Sequence, residues 1–335
     1  MEKKRDLTFD IMKGIAILAV FVGHFAIFPT LHLQRFAFSF RMPLLIMIGG
    51  IFFKTKDIKT QIIKDAIRLL IPCVFTQFIC FILSIFSNDG WNNSFELLKG
   101  LYGNAVDPEF STILQDNIAC IGILWFLPAI FWCKTIYNII RTTIKHGHIL
   151  ITLITLTISL VAIYSCKYLV LPFGISHGLS ILIFFHIGFL LKDKLQFKYS
   201  ILIVSFTLWM LSFLFARFSI GEFYYENLLL NLLGTTGAFY CIYWFSKLIS
   251  KIHLIYPLIW CGQNSMAIYC FHAICFSTIY IISGQYGEWT PWDPHLVFAI
   301  HIVTCLLFTY ISSKLALLKN IYKITDFKYE KNSIC

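Results

Sequence analysis

The chain has 335 residues, of which 58% are hydrophobic and only 13% are charged, and its mean hydropathy is +0.77. A soluble globular protein carries about 25% charged residues, so this composition indicates a protein that resides in lipid. A net charge of +10 is also found in nucleic-acid-binding proteins. Here, however, the cations occur in short clusters between apolar runs, as the loop charges of membrane proteins do. We therefore exclude nucleic acid as a partner.

Apolar runs that approach the roughly 20 residues needed to cross a bilayer predict an all-α polytopic membrane protein with about ten transmembrane helices. The runs cover 10–30, 36–53, 67–87, 119–138, 149–166, 170–191, 199–217, 227–246, 262–282 and 295–316. Lysine and arginine cluster in alternate loops, so the positive-inside rule places both termini in the cytoplasm. The longest outer connections are predicted at 87–117 and 283–294. No soluble domain is expected, and residues 1–335 form a single predicted transmembrane domain.

The termini and the cysteines carry little further information. The charged segment MEKKRDLTFD precedes a long apolar run that lacks a small-residue cleavage site, which indicates a retained first span. Most of the eleven cysteines lie inside apolar runs, where they behave as small hydrophobic residues. No pair shows CxxC spacing, so neither a zinc site nor a redox site is expected.

The first apolar run, DIMKGIAILAVFVGH, holds Asp10, Lys13 and His24. Lys13 and His24 are about three helical turns apart, so they project from one face and are separated by about 16 Å along the axis. Ionisable groups at such depth mark a functional site by default. In the alternative interpretation, His24 is hydrogen-bonded to a neighbouring helix and Lys13 extends to the interface. Composition alone does not choose between the two.

Further polar side chains interrupt the next runs. Arg41 stands directly before Met-Pro at a predicted helix start, where it either faces the bundle or anchors the helix at the interface. Lys64 and Arg68 lie one helical turn apart. They either bind the phosphates of a cofactor or are simple signals of membrane topology. Trp125, in LWFLPAIFW, is most simply a core residue beside a proline kink.

The later runs contain histidines and a polar stripe. His177 and His186 face opposite sides of the predicted sixth helix, so they are not expected to bind a metal together. Ser265, Tyr269 and His272 lie at i, i+4 and i+7 on the predicted ninth helix, which places them on one face. Seven helical residues separate Ser265 from His272 by about 10 Å. That distance is too great for a hydrogen bond between a nucleophile and its base, which excludes a serine hydrolase.

Five segments resemble the successive motifs of the family 3 membrane acyltransferases, in the same order. They are RDLTFDIMKGIAILAVFVGH, SFRMPLLIMIGGIFF, KDAIRLLIP, LWFLPAIFW and CGQNSMAIYCFH. Within that family, the chain is similar to the short O-acetyltransferases related to fucose 4-O-acetylase. The resemblance implies transfer of an acetyl group from cytoplasmic acetyl-CoA to a hydroxyl of a cell-envelope glycan or a related molecule. It also implies residence in the bacterial cytoplasmic (inner) membrane.

The resemblance extends to individual residues. The family's basic residue, ten-residue spacer and histidine match Lys13 and His24, although many members have arginine at the first position. The family's aspartate matches Asp10 and its early arginine matches Arg5. The other matches are Arg68 in the third segment and Asn264, Ser265 and His272 in the fifth.

Two positions in the second segment depart from the family pattern. Arg41 stands where relatives often have a histidine before Met-Pro, so an acid–base role is not transferred to this position. Gly49 stands where a serine is common.

The resemblance implies a mechanism in which neutral His24 acts as general base. The donor phosphates are expected at Arg5, Lys13, Lys64 and Arg68. The oxyanion is expected to be stabilised by Arg41, Asn264 or a backbone N–H. Asp10 is a further catalytic candidate, and Ser265, His272 and Trp125 are additional site candidates. An acetyl-histidine relay stays open. The alternative from another class is a secondary transporter of a small solute, although transporters show repeated halves and paired broken helices that we do not find in this sequence.

Overall fold

The computed structural model describes residues 6–24, 32–85, 122–144, 147–166, 168–283 and 294–326. Arg5 and almost all of the two predicted outer connections lie outside these ranges. Within them, each predicted apolar run coincides with a helix or with a chain of helical segments. A short antiparallel hairpin is the exception to the helical pattern, and it pairs β1 (Phe218–Ser219) with β2 (Tyr224–Tyr225).

The first half of the described chain contains α1 (Thr8–His24), α2 (Leu33–Phe38), α3 (Arg41–Ile51), α4 (Ile58–Asp65), α5 (Ile71–Ile85), α6 (Phe126–Thr143) and α7 (His148–Ser165). The second half contains α8 (Ile175–Ser180), α9 (Leu182–Leu191), α10 (Tyr199–Phe215), α11 (Leu228–Ile249), α12 (Tyr256–Gln263), α13 (Ser265–Ser283), α14 (Pro294–Ser312) and α15 (Ala316–Tyr322). A π-helical turn, Ala66–Leu70, joins α4 to α5, and short 3-10 helices precede α6 and α12.

Several of these segments have the length and composition of membrane spans. Among the described residues, the spans that could cross a bilayer unaided are Ile58–Leu83, Gly122–Thr143, His148–Ser165, Leu228–Ile249 and His295–Ser312. Their outer faces expose apolar side chains such as Leu153 and Val161, as a lipid environment requires. The chain is therefore an all-α, multi-pass membrane protein. The number of spans and the location of the termini stay predictions.

Helix α1 lies at the centre of the bundle, where it contacts α2, α3, α11, α12 and α13. Its closest neighbour is α12, because two glycines allow the backbones to touch. A Cβ on Gly262 would lie 1.6 Å from the Asp10 carbonyl oxygen, and one on Gly14 would lie 2.3 Å from that of Leu258. Such small-residue contacts are a common basis of helix association in membranes. They fix the N-terminal half of α1, with Asp10 and Lys13, against the bundle.

The predicted third helix begins earlier than the apolar pattern suggested. Asp57 caps α4, because the backbone N–H and the hydroxyl of Thr60 both donate to its carboxylate at 3.0 Å. These hydrogen bonds lower the pKa of the exposed Asp57 carboxyl.

The junction between α4 and α5 is irregular because of a proline. Pro72 has no N–H to donate to the carbonyl of Arg68, and the N–H of Ile71 bonds to the carbonyl of Ala66 instead. The chain therefore makes a π-turn at Arg68, a feature that often accompanies functional sites.

Two predicted helices are broken in the structure. The sixth, predicted at 170–191, divides at Ile181 into α8 and α9. The ninth, predicted at 262–282, divides at Asn264, which ends α12 before Ser265 begins α13. The diglycine in α3 gives a close helix contact rather than a break, because a Cβ on Gly50 would lie 2.0 Å from the Phe185 carbonyl oxygen of α9.

Candidate functional site

A cavity of about 730 Å³ lies beside the N-terminal half of α1. We call it the cationic cavity, because its walls carry six basic side chains against three carboxylates. The basic residues are Lys13, Lys54, Lys56, Lys64, Arg68 and Lys134, and the acidic ones are Asp6, Asp10 and Asp65. An excess of three positive charges around a cavity of this size suits a ligand with several negative charges.

Among the described residues, two ion pairs organise the cationic cavity. The Lys13 Nζ donates to the Asp10 carboxylate at 2.9 Å. Asp65 pairs with Lys134 and also accepts a hydrogen bond of 2.8 Å from the Gln61 amide. Each acidic partner is buried, so each pair holds a lysine in place at the wall. The other basic residues of the cavity, Lys54, Lys56, Lys64 and Arg68, are exposed and make no ion pair with a described residue.

The wall of the cationic cavity deeper in the bundle is largely apolar. Ile17, Phe126 and Tyr269 line it, with Ser265 at the start of α13. The Tyr269 hydroxyl donates to the backbone carbonyl of Ile123, which belongs to the lining of a second cavity. A narrow, aliphatic ligand segment fits such a wall better than a charged one.

The second cavity, of about 420 Å³, lies at the C-terminal end of α1. We call it the histidine cavity, because the half-buried His24 is part of its wall. Other lining residues come from α2, α3, the 3-10 helix before α6 and the segment between β1 and β2, namely Gln34, Phe38, Arg41, Trp125 and Glu222. Polar and aromatic side chains thus surround one imidazole, which is a suitable lining for a hydroxylated substrate.

Arg41 is buried and faces the bundle, so the interfacial-anchor interpretation is wrong. Its Nη1 donates to the carbonyl oxygen of Val20 at 3.2 Å, and its guanidinium lies 3.8 Å from the centre of the Phe38 ring. A Cβ on Gly23 would lie 1.5 Å from that Nη1, so the guanidinium rests directly on the glycine before His24. It is also close enough to Glu222 and Tyr269 to interact electrostatically with both. Arg41 therefore places a positive charge beside His24.

On the side away from the histidine cavity, His24 packs against a second histidine. Its ring centroid lies 5.2 Å from that of His272 on α13, and the His272 ring is fully buried. His272 in turn forms a 2.5 Å hydrogen bond through Nδ1 to Nε2 of His301 on α14. One side of His24 therefore faces the cavity, and the other faces a buried pair of imidazoles.

The structure separates residues that the sequence grouped together. Helix α1 is continuous from Thr8 to His24, so Lys13 and His24 lie about three turns apart as predicted. The same geometry puts Asp10 about 21 Å along the axis from His24, in the cationic cavity with Lys13. At that distance Asp10 does not contact the imidazole of His24; it pairs with Lys13, and its catalytic role stays a prediction.

Asn264 is also placed away from His24. Its Oδ1 accepts from the N–H of Thr325 at 2.7 Å, and its Nδ2 donates to the carbonyl oxygens of Trp260 and Thr325. These bonds tie the segment after α15 to the break between α12 and α13. Among the described residues, Asn264 lines neither of the two cavities, so its predicted oxyanion role stays a prediction.

The remaining candidates divide between the two cavities. Lys64, Arg68 and Ser265 line the cationic cavity, whereas Trp125 lines the histidine cavity and packs at a tilt against His177, with 4.8 Å between ring centroids. His177 bonds to the Gly221 carbonyl oxygen and His186 to the Tyr137 hydroxyl. These two histidines belong to separate hydrogen-bond networks.

Sequence reasoning missed several residues of the site. Lys134 could have been predicted, because it is a lysine inside an apolar run, the same signal that drew attention to Lys13. Gly23 and Glu222 gave no such signal, because their importance depends on their proximity to Arg41, which only the folded chain produces. His301 lies in a mostly apolar helix, and no neighbour in sequence suggests its partner.

The fold and the two cavities define a membrane protein with an ionisable site inside its helical bundle. A family model described as an acyltransferase domain matches residues 6–314. The chain therefore belongs to acyltransferase family 3 and is a membrane acyltransferase. Comparisons with curated proteins and with solved structures find no significant match. The matched range contains both cavities and all their lining residues.

Proposed function

We propose that this acyltransferase moves an acetyl group from acetyl-CoA to a hydroxyl group of a cell-envelope glycan or a related molecule, with His24 as general base. The observation that carries this proposal is the placement of the two cavities at opposite ends of α1. The cationic cavity surrounds Lys13, and the histidine cavity surrounds His24. The first suits a polyanionic donor, and the second suits an uncharged acceptor.

The donor phosphates bind in the cationic cavity. Coenzyme A carries a diphosphate and a ribose phosphate, and charge-assisted hydrogen bonds from lysine and arginine are the usual means of holding such groups. Lys64 and Arg68 supply exposed cations, and Lys13 supplies one that Asp10 positions. The loop charges of the sequence predict that this end of the bundle faces the cytoplasm, where acetyl-CoA is made.

The pantetheine arm runs from the cationic cavity toward His24. Lys13 and His24 are separated by about 16 Å along α1, a length that an extended pantetheine arm is able to span. Apolar side chains such as Ile17 and Phe126 line the way, and they match the thin, uncharged arm. Tyr269 lies where the lining of the first cavity approaches that of the second.

At the thioester, His24 accepts the proton of the acceptor hydroxyl while the oxygen attacks the carbonyl carbon. The resulting oxyanion lies beside the Arg41 guanidinium, whose fixed positive charge stabilises it in a site shielded from water. The C–S bond then breaks, and the protonated His24 returns the proton to the thiolate of coenzyme A. The products are the acetyl ester and free coenzyme A, and His24 is neutral again.

The histidine cavity contains groups that recognise hydroxylated molecules. Gln34 and Glu222 offer hydrogen-bond partners, and Trp125 offers an aromatic face. Sugars bind to such combinations, because their faces are apolar and their edges are polar. A glycan of the bacterial envelope, reached from the inner membrane, is the acceptor that we propose.

The test compares cells that carry the gene, cells that lack it and cells that express His24→Gln at a matched membrane level. Mass spectrometry of envelope glycans measures species that carry one additional acetyl group. We expect them in the first strain and a loss in the other two. Equal acetylation in all three strains would contradict the proposed function.

A further inference from the structure

Two histidines and two cysteines form a buried cluster where α13 meets α14. His272 and Cys275 lie three residues apart on α13, and His301 and Cys305 lie four residues apart on α14. Both spacings put the two side chains on the same face of their helix. All four residues are buried in the bundle. The packed faces of the two helices therefore bring four nitrogen and sulfur donors together.

The distances within this cluster approach those of a metal site. One donor atom each of His272, His301 and Cys305 lies within 4.8 Å of the other two. The Cys305 Sγ is 3.8 Å from the His301 Nε2, and the thiol of Cys275 is close enough to that of Cys305 to interact with it. Around tetrahedral zinc, nitrogen and sulfur ligands lie about 3.6 Å apart and two nitrogens about 3.3 Å apart. The spacing between Cys305 and His301 already fits, and the widest spacing in the set, up to 4.8 Å, would have to shorten on binding.

The two imidazoles need a small adjustment. The Nδ1 of His272 and the Nε2 of His301 are 2.5 Å apart and share a hydrogen bond. An ion that replaces the shared proton would move them apart by less than about 1 Å. Side-chain torsions of two histidines on separate helices are able to supply that movement.

The charge of the donor set suits an ion in a lipid environment. Two neutral imidazoles and two thiolates bring two negative charges to a divalent cation, so the complete centre has no net charge. Binding releases one proton from each thiol. A neutral centre avoids the cost of burying a net charge within a membrane bundle.

We propose that His272, Cys275, His301 and Cys305 bind one structural zinc ion that joins α13 to α14 behind His24. Four protein ligands fill the tetrahedron, so this site would hold the helices together and leave no open position for a substrate. The proposal departs from the expectation of no metal. That expectation considered CxxC pairs, whereas His-x2-Cys and His-x3-Cys on adjacent helices provide the same number of ligands.

The ion would also fix the orientation of His272, the residue that packs against His24. Ligation through Nδ1 of His272 leaves the proton of that ring on Nε2, a buried atom that has no hydrogen-bond partner among the described residues. Its ring packs against His24 with a centroid separation of 5.2 Å. A metal that fixes the tautomer and the angle of one imidazole commonly positions the groups around it. In this arrangement, His272 and His301 are positioning residues.

The test measures the metal content of the full-length protein, purified in detergent through a tag without histidines. Inductively coupled plasma mass spectrometry is expected to find about one zinc ion per chain, with His301→Ala and Cys305→Ala each below about a tenth of that amount. Cys133→Ala is the matched control, because Cys133 is equally buried but lies on α6. This variant is expected to keep its zinc.

A second measurement uses the unaltered protein, so it does not depend on whether a variant folds. After removal of the native metal, Co²⁺ is added, and the expected result is the visible absorption of tetrahedral cobalt with thiolate charge-transfer bands. Zinc below about a tenth per chain before and after reconstitution, without the cobalt spectrum, would overturn the proposal. So would a disulfide between Cys275 and Cys305. Neither readout uses acetyl transfer, so the zinc site and the proposed function fail or succeed independently.

Discussion

The guanidinium of Arg41 rests on the α-carbon of Gly23, one residue before His24. The contact leaves no space for a side chain, since a Cβ at Gly23 would lie 1.5 Å from Nη1 of Arg41. The hydrogen bond from the same Nη1 to the Val20 carbonyl oxygen fixes the guanidinium against the last turn of α1. The positive charge beside His24 is thus positioned by the shape of the helix that carries His24.

Gly23→Ala should therefore reduce catalysis without removing a functional group. The methyl group displaces the guanidinium by an ångström or more, and misplacement on this scale is expected to lower kcat by roughly 100-fold. The KM for acetyl-CoA should stay near its original value, because the cationic cavity is untouched. Steady-state kinetics of the purified variant measures both constants.

Gly49→Ala is the control for the effect on kcat; Gly49 lines the cationic cavity, so the KM for acetyl-CoA is not compared in this variant. A Cβ at Gly49 lies 3.2 Å from a ring carbon of Phe185, a contact that a small side-chain movement relieves. We expect a kcat within about threefold of the original, because no charged group is displaced. An equal loss of kcat in both variants would show that alanine disturbs these helices generally and that the Arg41 contact is not special.

Arg41→Lys tests the geometry of the positive charge. Lysine keeps the charge but loses the planar fork that rests on Gly23, so kcat should fall by roughly 100- to 1,000-fold. In the double variant with Gly23→Ala, the two losses should combine to much less than their product, because both act through the same guanidinium. Multiplicative losses would indicate that Gly23 and Arg41 contribute independently.

The cationic cavity makes a different prediction for Lys64 and Arg68. Lys64→Ala and Arg68→Ala should each raise the KM for acetyl-CoA by roughly tenfold, the equivalent of about 1.4 kcal/mol, and leave kcat nearly unchanged. The effect should diminish at high ionic strength, because both side chains are exposed. Lys251→Ala changes an exposed lysine outside the cavity and serves as the matched control. A lower kcat with constant KM in the cavity variants would contradict donor binding there.

The ion pair between Asp65 and Lys134 should matter for stability. Asp65→Asn removes the partner of a lysine that lies partly inside the bundle, and it weakens the hydrogen bond from Gln61. We expect a destabilisation of about 1–3 kcal/mol, visible as a lower thermal midpoint in detergent. Asp57→Asn alters an exposed helix cap on the same segment and should shift the midpoint less. Equal shifts of the thermal midpoint in the two variants would show that the ion pair between Asp65 and Lys134 has no special role in stability.

The sequence predicted the features that depend on local order along the chain. Helical periodicity placed Lys13 and His24 three turns apart on α1, and the apolar runs located the helices. The sequence could not predict that α12 approaches α1 through Gly262, or that the segment between β1 and β2 brings Glu222 toward Arg41. Such contacts join residues far apart in the chain and arise from packing, which leaves no periodic signal.

Asn264 illustrates the limit for motif-based reasoning. The motif correctly drew attention to a polar break between two apolar helices. The amide satisfies backbone groups of residue Thr325, beyond α15, and no local pattern encodes that partner. The motif thus located the residue, but it did not predict the partners that hold its amide in place.

The most direct test of the central claim measures acetyl-CoA binding and acetyl transfer in the same preparation of His24→Gln. The purified variant is reconstituted in lipid and supplied with radiolabelled acetyl-CoA and an envelope glycan extract, with exposed His148→Gln as control. We predict an unchanged Kd for acetyl-CoA and a transfer rate reduced by at least about 100-fold, whereas the control retains full transfer. Full transfer by His24→Gln would contradict the assignment of His24 as the general base.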